Sequence, residues 1–233
     1  MVTLTTIPAR AMMLTPVLRS LLDQSEAADR IVLALPEATQ RGEAYPSPEM
    51  LDFPFGVDVV RCQDDGPATK LLPTLKLERS SVLIVVDDDV IYPRRFIETL
   101  LSAHRRRPEA ALGFRGVQLV EGVRFPDLTH VFATGIDAPK PVDILFGTWG
   151  YLLPPNALGE AVHDFSGAPA QVRWVDDVWI SGHLARAGVP RLVVSADELP
   201  LETPVSLRSA LTTGVNKSGD NDEIALKAFA GDW

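Results

Sequence analysis

Three consecutive aspartates, Asp87-Asp88-Asp89, follow directly on the apolar, β-branched run from Ser81 to Val86. Neighbouring carboxylates repel one another unless a cation or hydrogen-bond donors compensate. Asp87 and Asp89, two residues apart, can both turn toward a hard cation. Substrate phosphates can then complete the octahedral oxygen shell that Mg2+ or Mn2+ takes. A single aspartate in this place would read as the cap of the next turn. Three behind an apolar strand point to a metal on Asp87 and Asp89, with Asp88 assigned to a nucleotide.

Two further stretches share this strand-then-polar layout. Asp64-Asp65-Gly66-Pro67-Ala68-Thr69-Lys70 follows the strand-like run Val57 to Cys62. Gly66 and Pro67 suit a tight turn. Lys70 would stand near a helix start, where backbone N–H groups and an ammonium favour phosphate. Alone, the stretch reads as a turn with a surface lysine; beside the triple aspartate, Asp65 and Lys70 become nucleotide-binding candidates. Thr5-Thr6-Ile7-Pro8-Ala9-Arg10 follows the first strand. Its Thr6 hydroxyl and Arg10 guanidinium could meet the same ligand, and a surface arginine in a first loop explains Arg10 equally well.

Later in the chain, Trp174-Val175-Asp176-Asp177-Val178-Trp179 sets an acidic pair between large apolar residues. A helix N-terminus accounts for Asp176 and could account for both. Trp149, beside Gly150, offers an aromatic plane that suits a sugar ring. His104, His130, His163 and His183 show no metal-ligand spacing to one another, although His183, six residues after Asp177, could share a helix face with it.

Such side chains need a sheet edge to stand on. Short strands are predicted at Met1 to Thr6, Ile31 to Leu35, Val57 to Cys62, Ser81 to Val86, Ala110 to Phe114 and Arg191 to Val194. Helices are predicted from Thr15-Pro16, over Ala68 to Leu77, Pro93 to Arg107, Asp176 to Ala187 and late at Glu223 to Phe229. Val120 to Lys140 reads as a long excursion. The alternation argues for one α/β domain with a mostly parallel sheet and helices on both faces, whose ligands collect at the carboxyl ends of the strands. No linker divides the chain into two domains. Val215 to Asp222, rich in Gly, Asn and Ser, reads as a lid that closes over ligand.

Composition narrows the choices. The 233 residues carry a formal net charge of −9, which speaks against a binder of bare nucleic acid. The single cysteine, Cys62, allows no intramolecular disulfide and reads as a buried strand residue. No leader-like start and no membrane-length apolar run is present, so a cytoplasmic place is expected. The patterns GxxxxGK[ST], GxGxxG after the first strand and GxSxG are missing, which disfavours phosphate-loop, dinucleotide and acyl-enzyme chemistry.

TTIPAR, the helix ending LLDQS, the strand ending LALP, then GPATKLLPTL and VLIVVDDDVIYPRRFIETL together resemble bacterial glycosyltransferases of the GT-A fold, similar to the family-2-like enzymes. GTWGYLLPP and WVDDVWISGHL resemble that group's acceptor-side segment and its acidic catalytic segment. The matches run from about Val2 to Val194. The resemblance implies a single GT-A-like, Rossmann-like domain over 1–233, with a nucleotide-binding half up to about 115 and an acceptor and catalytic half after it. It implies a metal-dependent, inverting transfer of sugar from a nucleoside-diphosphate donor, a UDP-sugar first, to a saccharide or other hydroxyl acceptor. Asp87 and Asp89 match the metal motif, with Mn2+ or Mg2+ as the ion. Asp177 matches the base of inverting members, and Trp149, Gly150 and Asp176 fall on the acceptor side. The acidic pair is Asp-Asp where Glu-Asp is common. His183 stands where a basic residue often lies, and some related enzymes use a late histidine as a metal ligand. The competing readings are a sugar nucleotidyltransferase, which usually shows a Gly-rich basic loop where TTIPAR stands, and a catalytically lapsed carbohydrate-binding relative.

Overall fold

The computed structural model describes residues 1–51, 53–204 and 219–233. Its strands, in chain order, are β1 (Val2–Thr5), β2 (Ile31–Pro36), β3 (Val57–Cys62), β4 (Leu83–Val85), β5 (Val90–Ile91), β6 (Ala111–Gly113), β7 (Arg115–Val117), β8 (His130–Phe132), β9 (Lys140–Pro141), β10 (Ile144–Leu145), β11 (Tyr151–Leu153), β12 (Arg191–Val193) and β13 (Leu201–Glu202). The α-helices are α1 (Pro8–Ala11), α2 (Thr15–Leu22), α3 (Leu72–Leu77), α4 (Phe96–Arg106), α5 (Asp176–Arg186) and α6 (Asp220–Lys227).

Eight strands form the main sheet in the order β3-β2-β1-β4-β11-β6-β12-β9. The pairs β3/β2, β2/β1, β1/β4 and β6/β12 are parallel, while β11 and the edge strand β9 run against their neighbours. All six residues of β2 are buried, as a continuous apolar run covered on both faces requires. The amphipathic helices supply the cover: Val17, Leu18 and Leu21 point inward from α2, and Phe96, Ile97, Leu100 and Ala103 from α4. The α/β architecture read from the sequence therefore holds, with a mostly parallel sheet in one domain.

The topology decides where a ligand can sit. From β1 the chain runs outward through β2 and β3, then returns to place β4 on the other side of β1. The crevice at the carboxyl ends of β1 and β4 is the switch point where open α/β sheets bind ligands. Because β11 is antiparallel, its first residue, Tyr151, pairs with Val85 at the end of β4 and with Gly113 at the end of β6. The Gly147 to Gly150 turn before it and the start of β7 after β6 thus reach the same edge.

Two segments differ from the sequence expectation. Ala68 to Leu77 splits into a 3₁₀ turn, Gly66–Lys70, and α3, with Pro73 in the first turn of α3 where its missing N–H does no harm. The excursion Val120 to Lys140 contributes β8 to a three-stranded antiparallel sheet, β10-β7-β8. Cys62 is half-buried at the end of β3 rather than in the core. Of the predicted lid, 215–218 lies outside the described residues, and Asp220 and Asp222 begin α6. No described helix is long and apolar enough to cross a membrane.

Candidate active site

The first loop and the triple aspartate meet across the switch point. Thr6 Oγ1 donates to Asp88 Oδ2 at 2.7 Å, and Arg10 Nη1 donates to Asp88 Oδ1 at 2.7 Å. The same Arg10 nitrogen lies 2.9 Å from Asp89 Oδ2. The Arg10 and Asp88 side chains are only 11% and 9% exposed, so this is a desolvated pair rather than a surface bridge. Two tyrosines brace the loops. Tyr45 Oη donates to the Thr6 carbonyl at 2.9 Å, and the Asp87 amide donates to Tyr92 Oη at 2.7 Å.

Lys70 joins the two halves of the chain. Its ammonium lies 3.1 Å from Asp176 Oδ2 on α5 and 3.4 Å from Asp87 Oδ1 after β4. Its carbonyl accepts from Thr3 Oγ1 at 2.7 Å, which ties the 3₁₀ turn to β1. Gly147 lies against this pair. A Cβ there would come within 2.5 Å of Lys70 Nζ and 3.0 Å of Asp177 Oδ1, so a side chain would displace one or the other. The Gly147 amide instead donates to Asp177 Oδ1 at 2.7 Å.

Five carboxylates, from Asp87, Asp88, Asp89, Asp176 and Asp177, thus gather about two cations. Burial, opposed by Lys70, raises the Asp87 pKa above the usual carboxylate range. Asp89 is pushed up to about 6, by burial first and then by the Asp87 charge, against the pull of Arg10. Asp177 is raised by burial and by Asp176. Burial works against the Lys70 charge, yet the carboxylates of Asp176, Asp87 and Asp177 outweigh it and hold the ammonium charged.

Of the residues singled out in the sequence, Thr6, Arg10, Lys70, Asp87, Asp88, Asp89, Asp176 and Asp177 converge. Asp65 stands apart: its carboxylate lies 3.7 Å from Arg173, and its amide donates to Thr69 Oγ1 at 2.8 Å. Trp149 and Gly150 close the neighbouring turn, whose Gly150 amide donates to the Gly147 carbonyl at 2.8 Å. The His183 ring packs between Trp179 and Phe229, and burial lowers its pKa to about 4. Among the described residues, no three His, Cys, Asp or Glu side chains converge in a metal-holding group. Asp88 and Asp89 turn to Arg10, and Asp87 to Lys70. Tyr45, Gly147 as the support of Asp177, and Arg115 with its aromatic neighbours were not legible in the sequence. Each acts through partners distant in the chain.

No family model matches this chain, and no curated protein matches it either. Among solved structures, it is similar to CMP:2-keto-3-deoxy-manno-octonic acid synthetase complexed with CTP, with a TM-score of 0.50 and 13% identity. The match covers 93% of this chain and 98% of that one. At such identity the likeness shows the fold alone.

Proposed function

We propose that this chain is a transferase acting on a nucleotide-linked sugar, and that it moves the sugar to an acceptor hydroxyl. The observation that carries this reading is the cluster at the sheet's switch point, where carboxylates from both halves outnumber Arg10 and Lys70. A diphosphate cannot approach so negative a crevice unaided. A divalent ion fits it: the donors are hard oxygens, and the uncompensated charge is of the right sign. Asp87 and Asp89 would hold Mn2+ or Mg2+, which when bound neutralises a nucleoside diphosphate leaving group. Thr6, Arg10, Lys70 and Asp88 border the nucleotide, with Asp65 at the rim. The acceptor lies toward Trp149, Gly150 and Asp176. Asp177, supported by the Gly147 amide, takes the acceptor proton as the acceptor oxygen bonds to the anomeric carbon and the bond to the diphosphate breaks. The raised affinity of Asp177 for a proton suits that role, and inversion follows from a base on the face opposite the leaving group. A nucleotide-binding part up to about residue 115 and a catalytic part beyond it describe this division of labour.

Nucleotidyl transfer is the second reading, and the likeness to the CTP-bound synthetase favours it. The local chemistry weighs the other way. A triphosphate needs more free positive charge than the first loop supplies, since Arg10 is held by Asp88 and Asp89. The test is to incubate the full chain and Mn2+ with a panel of nucleotide sugars and acceptors, and separately with nucleoside triphosphates and sugars. Release of nucleoside diphosphate supports glycosyl transfer. Release of pyrophosphate establishes the second reading, and neither product would mark a lapsed enzyme.

A further inference from the structure

Beside the carboxylates stands a cation that the proposed reaction does not use. Arg115 lies on β7, directly opposite Phe132 of β8. On its other side the Phe146 amide donates to the Arg115 carbonyl at 2.9 Å. The guanidinium is therefore sandwiched in the small sheet, 5.3 Å from each of the Phe132 and Phe146 ring centres. His130, two residues along β8 from Phe132, caps it. Arg115 Nε and Nη2 lie 3.0 and 2.7 Å from His130 Nδ1. An arginine can only donate, so Nδ1 carries the lone pair and the neutral ring bears its proton on Nε2.

Two features mark this arrangement as more than packing. Arg115 is half-buried, yet among the described residues it has no carboxylate within ion-pair distance; Asp177 and Glu202 act on it only from farther away. A half-buried charge without a counter-charge is a cost that an anionic ligand would relieve. The second feature is Trp149, whose φ of 71° is a left-handed conformation seldom adopted by a bulky residue. Strain of this kind persists where the surroundings impose it and gathers at ligand clamps. It carries the indole to 6.1 Å from the Phe132 ring, which is 38% exposed. Phe146, the residue just after β10, leads into Gly147, whose amide supports Asp177.

We propose that Arg115, His130, Phe132 and Trp149 form the acceptor subsite and select a saccharide that carries an acid group, a carboxylate or a phosphate. The aromatic planes stack on the sugar, and the remaining edge of the Arg115 fork together with His130 Nε2–H receives the anion. This rests on the glycosyl-transfer reading for its name as an acceptor site, but binding itself does not depend on turnover. The test is saturation-transfer NMR titration of the full chain with methyl glucoside, methyl glucuronide and methyl glucoside 6-phosphate. At least one acidic glycoside should bind about tenfold or more tightly than the neutral one, and which acid wins distinguishes carboxylate from phosphate. Arg115→Met should bring all three within about twofold, and Trp149→Ala should weaken them alike. Arg115→Lys, which keeps the charge and loses the planar fork, serves where Arg115→Met does not fold, and should also reduce the preference. Equal binding of neutral and acidic glycosides, binding of neither acid, or a preference that survives loss of the fork overturns the proposal. Product release, measured separately, decides the reaction.

Discussion

Asp89 meets two opposed demands. Its carboxylate is only 20% exposed and stands beside Asp87 and Asp88, with Arg10 as its ion-pair partner. Its pKa rises from 3.8 to about 6, so between about pH 4 and 6 the folded chain holds a proton there that the unfolded chain has released. The associated stability is fully present below about pH 4 and is lost as pH climbs through about 6. Asp89→Asn should therefore raise the thermal midpoint at neutral pH by a few degrees and leave it nearly unchanged at pH 4. The pKa difference sets an upper bound of about 3 kcal/mol on the gain. The same variant should lose Mn2+-dependent nucleotide binding, and unaltered metal-dependent affinity would remove Asp89 from the metal site. Asp177 makes a separable claim. Asp177→Asn keeps the shape and removes the basic oxygen, so transfer should fall about a hundredfold or more while donor binding is nearly kept. With its pKa raised, the acidic limb of the wild-type rate profile should lie above the ordinary carboxylate range. Near-normal turnover in Asp177→Asn, with a confirmed acceptor, would make Asp177 structural.

At the scale of elements, α5 is the part whose packing most limits change. It presents Asp176 and Asp177 from its first turn and is buried along most of its length, from Val178 to Leu184. At Gly182 a Cβ would lie 2.4 Å from the ring of Phe229, which is itself 1% exposed. Alanine gains about 1 kcal/mol of helix propensity over glycine, but overpacking a closed core costs about 1–3 kcal/mol. The clash is with the root of the Phe229 ring as well as its edge, so the penalty should win. Gly182→Ala should lower the midpoint by a few degrees in a thermal melt, and a rise would show that Phe229 moves freely. The helix itself was legible in the sequence, as were the strands that deliver Asp87 and Thr6, because apolar runs ending in polar residues are local signals. The antiparallel strand β11 was not legible, since Ile144 to Leu153 shows apolar content without revealing direction. Nor was the small sheet that brings Arg115, Phe132 and Phe146 together: cross-strand partners 17 and 31 residues from Arg115 leave no periodic trace. Lys70 was found by its place after a strand, but not its bond to Asp176, which only the closed fold creates.

For the whole molecule, the main sheet unites the proposed nucleotide and catalytic parts. β4 and β6 both pair with β11, and Lys70 bridges Asp87 to Asp176 across the join. The chain should therefore unfold in one transition, with stability that responds to any ion entering the cluster. The net charge of −9 complicates the measurement, because any salt relieves general repulsion. A specific site and a screened surface differ in magnitude. Screening acts through ionic strength alone, so NaCl and MgCl2 at equal ionic strength should then raise the midpoint alike. Binding to the folded state adds stability by mass action, about 2.7 kcal/mol when free ion stands at a hundred times its dissociation constant. For a chain of this size that corresponds to roughly 5–10 °C. Millimolar Mg2+ at neutral pH should raise the midpoint well beyond ionic-strength-matched NaCl, and Asp89→Asn should bring the two salts together. The advantage of Mg2+ should shrink toward pH 4, where protons compete with the ion for the Asp87 and Asp89 carboxylates. If the two salts act alike on the wild-type chain at neutral pH, the carboxylates are balanced by Arg10 and Lys70 alone, and Asp87 and Asp89 are not a metal site.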